Sequence, residues 1–183
     1  MKRLILAALL LLAAPAAASQ WKMDPARSEI RFGSEWNGQA VEGRFAKFQT
    51  NIRFDPDDLA SAAVSAVIDL ASATTGDKTV NASLPGDDWF AVKAAPTARF
   101  ATTSISATGD GRYLARGTLE LRGKKVPVEL PFRLSIKGDE AVMEGTTRLD
   151  RRAFDIGMQS DARGSWVVFP VPVTVRVVAR RAG

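Results

Sequence analysis

Adjacent carboxylates at Asp57-Asp58 and Asp87-Asp88 are the side chains best suited to acid–base work, because two acids can hydrolyse a glycosidic bond without an imidazole. Both pairs stand in turn-like contexts, where they read as solvated groups or helix caps. The hydroxyls of Ser28, Ser72 and Thr75 have no base near them in the sequence. With no histidine and no cysteine, the chain excludes a Ser-His-Asp triad, an imidazole base, an ordinary zinc site and a His-ligated haem. Four methionines, spread along the chain, make no soft-metal cluster. The sequence therefore reads as a protein with no catalytic group, no metal and no cofactor. One charged residue stands apart. Arg151 shares the parity of Met143, Gly145, Thr147 and Leu149, so a strand through them aims a guanidinium at an apolar face. Such an arginine needs either the anionic head group of a ligand or a carboxylate, for which Asp69 and Asp155 are the candidates.

The elements that position these groups are strands. From Val126 to Ile136 apolar residues occupy every second position, and the alternation returns over Val167, Phe169, Val171, Val173, Val175, Val177 and Ala179, which reads as a strand from Trp166 to Ala179. Shorter runs of the same period lie at Ile30 to Glu35, Val41 to Asp55, Ala62 to Leu70, Ala98 to Ser106, Tyr113 to Leu121 and Ala141 to Leu149, about eight strands in all. Inside Val41 to Asp55 the apolar parity changes between Phe45 and Phe48, which predicts a bulge or break at Ala46-Lys47. Ala71 to Thr97 has no alternation. It reads as a crossover with helical turns near Asp77 to Leu84 and Asp87 to Val92, anchored by Trp89-Phe90. The fold class is all-β, and about eight antiparallel strands close into a barrel whose interior is either filled by side chains or holds one small ligand. Phe32, Phe45, Phe48, Phe54, Phe100, Phe132 and Phe169 are the inward aromatics, and Gly43, Ala66, Ala115, Gly117 and Gly145 on the same faces are expected to leave room.

At the start, Met1-Lys2-Arg3, the apolar run Leu4 to Ala14 and the small residues Ala16-Ala17-Ala18 have the form of a secretory signal peptide, with cleavage expected after Ala18. The run is shorter than the roughly 20 residues of a membrane-spanning helix. This division leaves 19–183 as one exported domain, without disulfides and with a periplasmic location expected. The net charge of +5 is scattered except at Arg176, Arg180 and Arg181, which describes a solvated surface and not a nucleic-acid footprint.

Several stretches together resemble the YceI family of periplasmic lipid- or polyisoprenoid-binding proteins. They are Trp21-Lys22-Met23-Asp24-Pro25, Ser28 to Phe32, Val41-Glu42-Gly43-Arg44-Phe45 with Phe48, and Ile52-Arg53-Phe54-Asp55-Pro56. Ile68-Asp69 with Ser72 and Thr75-Gly76, Leu84-Pro85-Gly86-Asp87-Asp88-Trp89-Phe90, Pro96 to Phe100, and Gly117 to Gly123 with Val126-Pro127-Val128 continue it. The Leu84 to Phe90 segment is most similar to members associated with membrane b-type cytochromes. The chain departs from the family pattern at Val80-Asn81, at Arg151 to Gly157 and around Met158-Gln159-Ser160-Asp161.

The resemblance implies an extended lipocalin-like barrel that encloses a long-chain isoprenoid, such as a quinone or its precursor, or a fatty-acid derivative. The residues expected to touch that ligand are Phe32, Phe45, Phe48, Trp89, Phe90, Phe100, Phe132, Met143, Arg151, Phe154 and Phe169. A membrane b-type cytochrome and a second copy of the chain, in a homodimer, complete the expected partners. A compact, filled barrel docking on such a cytochrome or on an envelope enzyme is the alternative role.

Overall fold

The computed structural model describes residues 19–36 and 38–182. The expected signal peptide lies outside the described residues. Eleven strand segments form one antiparallel sheet: β1 Gln20–Met23, β2 Glu29–Trp36, β3 Gln39–Phe45, β4 Phe48–Arg53, β5 Ala63–Asp69, β6 Ala73–Thr75, β7 Thr97–Gly109, β8 Arg112–Leu121, β9 Lys124–Lys137, β10 Glu140–Asp150 and β11 Pro170–Arg181. Three pairs of segments, β1/β2, β3/β4 and β5/β6, are interrupted staves, so the sheet makes a closed barrel of eight staves. Closure falls on β11, whose Ala179 to Arg181 pair with β1 and whose Val173 to Arg176 pair with β2.

The expected parity change at Ala46-Lys47 is present and has a local cause. β3/β4 and β5/β6 break side by side, where a 3₁₀ turn over Leu70–Ser72 interrupts the second stave. Ser72 repairs both breaks. Its carbonyl accepts from the Ala46 amide at 3.1 Å and its hydroxyl from the Lys47 amide at 3.0 Å, so the extra residues leave no orphaned donor. Phe45 and Phe48 consequently both face inward, although three positions separate them.

The crossover contains one short helix, α1 Lys78–Ser83, started by the Asp77 carboxylate accepting from the Thr79 and Val80 amides at 2.7 and 2.9 Å. Asp87 to Val92 is not helical. It forms hydrogen-bonded turns, with Phe90 bonded to Leu84 and Ala91 to Gly86, and Ala91 at a φ of 50°. β1 was not anticipated, because four residues are too few to display an alternation. β11 begins at Pro170 instead of Trp166, because the Asp161 carboxylate takes the amides of Ser165, Trp166 and Val167 out of the ladder.

The glycines of the inner face leave no open space. A Cβ on Gly43 would stand 2.3 Å from the Phe32 ring, and one on Gly117 would stand 2.4 Å from the Ala101 carbonyl oxygen and 2.7 Å from the Phe100 ring. Each phenylalanine lies in the notch that the glycine opens. Gly145 is likewise hemmed in by Leu130, Pro131 and Phe132. Because a backbone oxygen blocks position 117, Gly117→Ala must displace β7 from β8. The expected loss is about 1–3 kcal/mol in urea denaturation, with secondary structure by circular dichroism retained.

Candidate functional site

Inside the barrel lies a cavity of about 330 Å³, at the lower end of the roughly 300–1,000 Å³ typical of small-molecule sites. It runs between two packed ends. At one end Leu70, Val80, Leu84, Phe90, Phe154 and Ile156 cluster, drawn from the crossover and from the segment that follows β10. The rings of Phe32, Phe45 and Phe90 stand 5.2 to 6.2 Å apart there, in tilted and edge-on contact. Trp21, Phe54, Ile105, Ala115, Ala141, Val177 and Ala179 close the other end. There the Trp21 indole donates to the Phe54 carbonyl at 2.9 Å, and Tyr113 stacks on Phe132 at 5.3 Å. The cavity wall as a whole is apolar except for a few hydroxyls, two indoles and Arg151.

The structure places Phe32, Phe45, Phe48, Trp89, Phe90, Phe100, Phe132, Met143, Arg151 and Phe154 on the cavity wall, together with Ala66 and Ala115. Phe169 lies outside it. Its ring lies under the guanidinium groups of Arg151, at 5.0 Å, and Arg152, at 4.3 Å, and against Gly164. The period-2 reading misplaced it because the ladder begins only at Pro170, so residues before that point need not follow the strand's alternation.

Arg151 reaches the wall but is spoken for. The side chain is 2% exposed and its charge is paired with Asp161 at 2.9 Å, not with Asp69 or Asp155. Its remaining N–H groups donate to the Ile156 carbonyl at 2.6 Å, the Asp161 carbonyl at 2.9 Å and the Val167 carbonyl at 2.8 Å, with a longer contact to Val168. Burial alone would push the Asp161 carboxyl up. The amides of Val167, Trp166 and Ser165 and the Arg151 charge outweigh that effect and hold it below the ordinary carboxylate value. Gly157 is required at this place, since it adopts a φ of 69° and a Cβ would meet Arg151 Nη1 at 2.8 Å.

The second carboxylate pair acts in the same cap. Asp88 accepts from the Gln159 and Ser160 amides, each at 2.9 Å, and from the Ser160 hydroxyl at 2.5 Å, which ties the crossover to the segment after β10. Its pKa is lowered: burial would raise it, but these three hydrogen bonds and the Arg122 charge prevail. Arg122, in the β8–β9 turn, completes the clamp by donating to the carbonyls of Asp87, Phe154 and Asp155. Asp88→Ala is expected to lower stability by about 1.5–3 kcal/mol. Limited proteolysis should then cut first between Asp155 and Trp166. Asp88, read from the sequence as half of a carboxylate pair in a turn, here caps the amides of a segment distant in the chain. Asp161 and Arg122 were not singled out as site residues, because Arg151 and the carbonyls they hold are brought to them only by the folded cap.

A model of the YceI-like domain matches residues 21–179. The chain belongs to the YceI-like family. Among solved structures, Burkholderia cenocepacia BcnA is 30% identical, superimposes with a TM-score of 0.82, and the match covers 86% of this chain and 99% of that one. A polyisoprenoid-binding domain from Saccharophagus degradans superimposes with a TM-score of 0.71 at 16% identity, covering 90% of this chain and 99% of its own, and so shares the fold. A UPF0312 protein of Pseudomonas aeruginosa is 30% identical over 168 residues, covering 85% of each chain. For this YceI-like barrel, the agreement extends from Trp21 in the closed end to Ala179 on the last strand, the same residues that bound the cavity. Among the described residues there is no group of acidic side chains arranged to hold a metal ion.

Proposed function

We propose that this protein carries or sequesters a long-chain isoprenoid or similar lipid in the periplasm, without catalysing a reaction. The observation that carries the reading is an elongated apolar cavity inside a closed barrel, with no unpaired charge among its described wall residues. The name of the Saccharophagus degradans neighbour supports the same class of ligand. Each buried methylene contributes roughly 0.8 kcal/mol, so one isoprene unit supplies about 3–4 kcal/mol and a few units give useful affinity after ordering losses. The signal-like start of the sequence supports export to the periplasm, where such a lipid needs an apolar shelter.

The test is purification of the exported protein under native conditions, extraction with organic solvent and mass spectrometry of the extract. A lipid present in near-stoichiometric amount is expected. A barrel that is repeatedly empty and that also fails to bind quinone analogues refutes the reading.

A further inference from the structure

The staves of the barrel are not equally joined. β10 pairs with β11 along its whole length, from Glu140 opposite Arg180 to Asp150 opposite Pro170, and β9 pairs with β8 from Lys124 to Arg133. Between β9 and β10 the ladder is partial. It runs from Lys137 opposite Glu140 to Phe132 opposite Gly145 and stops there, so Lys124 to Pro131 of β9 and Thr146 to Asp150 of β10 face each other across an unladdered seam. At about 3.4 Å per residue, Thr146 to Asp150 alone leave roughly 17 Å of wall unlaced on that side.

The cause lies in β9. Its odd-numbered residues turn their backbone toward β10, as the Glu129 carbonyl does, whereas the Leu134 amide faces the other way and donates to Gly111 in the β7–β8 turn at 2.9 Å. Two of the odd positions, Pro127 and Pro131, have no N–H to give. Proline is ordinarily confined to sheet edges, so this stretch has the chemistry of an edge strand inside a closed barrel. Among the described residues, the side-chain hydrogen bond that crosses the seam is Thr147 Oγ1 donating to the Glu129 carbonyl at 2.8 Å. Beyond it, Arg122 on the Phe154 and Asp155 carbonyls and Lys124 paired with Asp155 at 2.9 Å tie off the end.

The seam borders the cavity directly. Val128 and Leu130 on one side, and Thr147 and Leu149 on the other, are wall residues of the lumen. Other ways in cross more of the protein. The capped end holds the buried Arg151–Asp161 pair and the Asp88 and Arg122 hydrogen bonds, and the far end is shut by the Trp21 indole bonded to the Phe54 carbonyl. The ladder between β11 and β2 also stops short, at Val173 opposite Phe32, but there the strands are in contact, since a Cβ on Gly33 would meet the Pro172 ring at 3.2 Å.

We propose that the seam between β9 and β10 is a lateral door through which a long-chain lipid enters and leaves the lumen, with Thr147 as its latch. A chain passing broadside meets apolar side chains on both lips, and Pro127 and Pro131 have no N–H bonds to lose when the lips part. The proposal rests on the carrier reading and adds the route to it.

The chain has no cysteine, so an introduced pair can be cross-linked selectively. Glu129→Cys with Arg148→Cys, joined by a short bis-maleimide, locks the seam from its exposed side. Ser135→Cys with Val142→Cys, joined in the same way, locks the laddered part of the same two strands. The probe is a decyl-chain quinone, whose ring quenches the fluorescence of Trp21 and Trp89 on the cavity wall. The seam lock is expected to slow uptake and release alike by at least about tenfold at unchanged equilibrium affinity, and the ladder lock to change neither. Thr147→Val should speed release about three- to tenfold. Pro127→Thr with Pro131→Thr, which returns two donors to the seam, gives a second closure without cross-linking and should slow exchange as the lock does. A folded seam-locked protein with both rates unchanged overturns the proposal, as does a ladder lock that slows them equally. Protein loaded before locking should retain its quinone, and its loss at the parent's rate also overturns the door. A parent that binds no quinone refutes the carrier reading and the proposal with it, whereas binding that no closure slows refutes the door alone.

Discussion

Asp161→Ala lowers the stability of the folded protein by about 3–5 kcal/mol, read from urea or thermal denaturation. The substitution leaves the Arg151 guanidinium buried without its countercharge and strips acceptors from the amides of Ser165, Trp166 and Val167. Phe154, which is 1% exposed, packs in the same cap, so the loss spreads to the apolar end of the cavity. Pairing Asp161→Ala with Arg151→Met restores part of the stability, because the second change removes the orphaned charge. The pH dependence carries a definite sign. The folded-state pKa of Asp161 is depressed, so its contribution is fully present above the unfolded carboxylate value of about 3.9 and is lost as pH falls below it, through the folded value. The stability gap between parent and variant should therefore be constant from neutral pH to about pH 5 and shrink in stronger acid. A gap that instead widens in acid would show that the carboxylate is not what holds the cap.

Ala66→Phe abolishes lipid uptake and leaves the barrel folded. Ala66 stands on β5 between Thr50 and Phe100 and lines the cavity. A ring placed there displaces at least one isoprene unit of ligand, about 3–4 kcal/mol or more than a hundredfold in affinity. The measurements are lipid recovered by mass spectrometry and the melting temperature. If the variant unfolds, the interior is already packed at this point and the filled-barrel docking role gains ground. Gly117→Ala makes the contrasting case, because a methyl group there meets a backbone oxygen as well as the Phe100 ring and so harms the fold itself.

Much of this structure is legible in residue order because a strand side chain has only two faces to choose from. The alternation in Val126 to Ile136 becomes the inward Val128, Leu130, Phe132, Leu134 and Ile136 of β9. The parity change at Phe45 and Phe48 foretells the break that Ser72 repairs. Phe169 shows where this reasoning ends: its parity matches Val171 and Val173, but a carboxylate eight residues upstream keeps its neighbours out of the ladder. Arg151 shows the same limit. Its need for a carboxylate follows from its chemistry, whereas the choice of Asp161 over Asp69 or Asp155 depends on how the segment after β10 folds back.

The sequence by itself determined the long strands, most of their inner faces and the family, since these follow from local periodicity and from motifs in order, but not the short β1 and β6. Only the tertiary structure decided what the inner face encloses. Whether a glycine leaves space or receives a phenylalanine depends on the residue across the ladder, as Phe32 over Gly43 and Phe100 over Gly117 show. Whether a lumenal hydroxyl is free depends on which backbone carbonyl lies within reach, and that separates Thr50 and Ser34 from Thr102 and Thr147. Volume and hydrogen-bond satisfaction are properties of pairs of residues far apart in the chain, so they come into being only when the barrel closes.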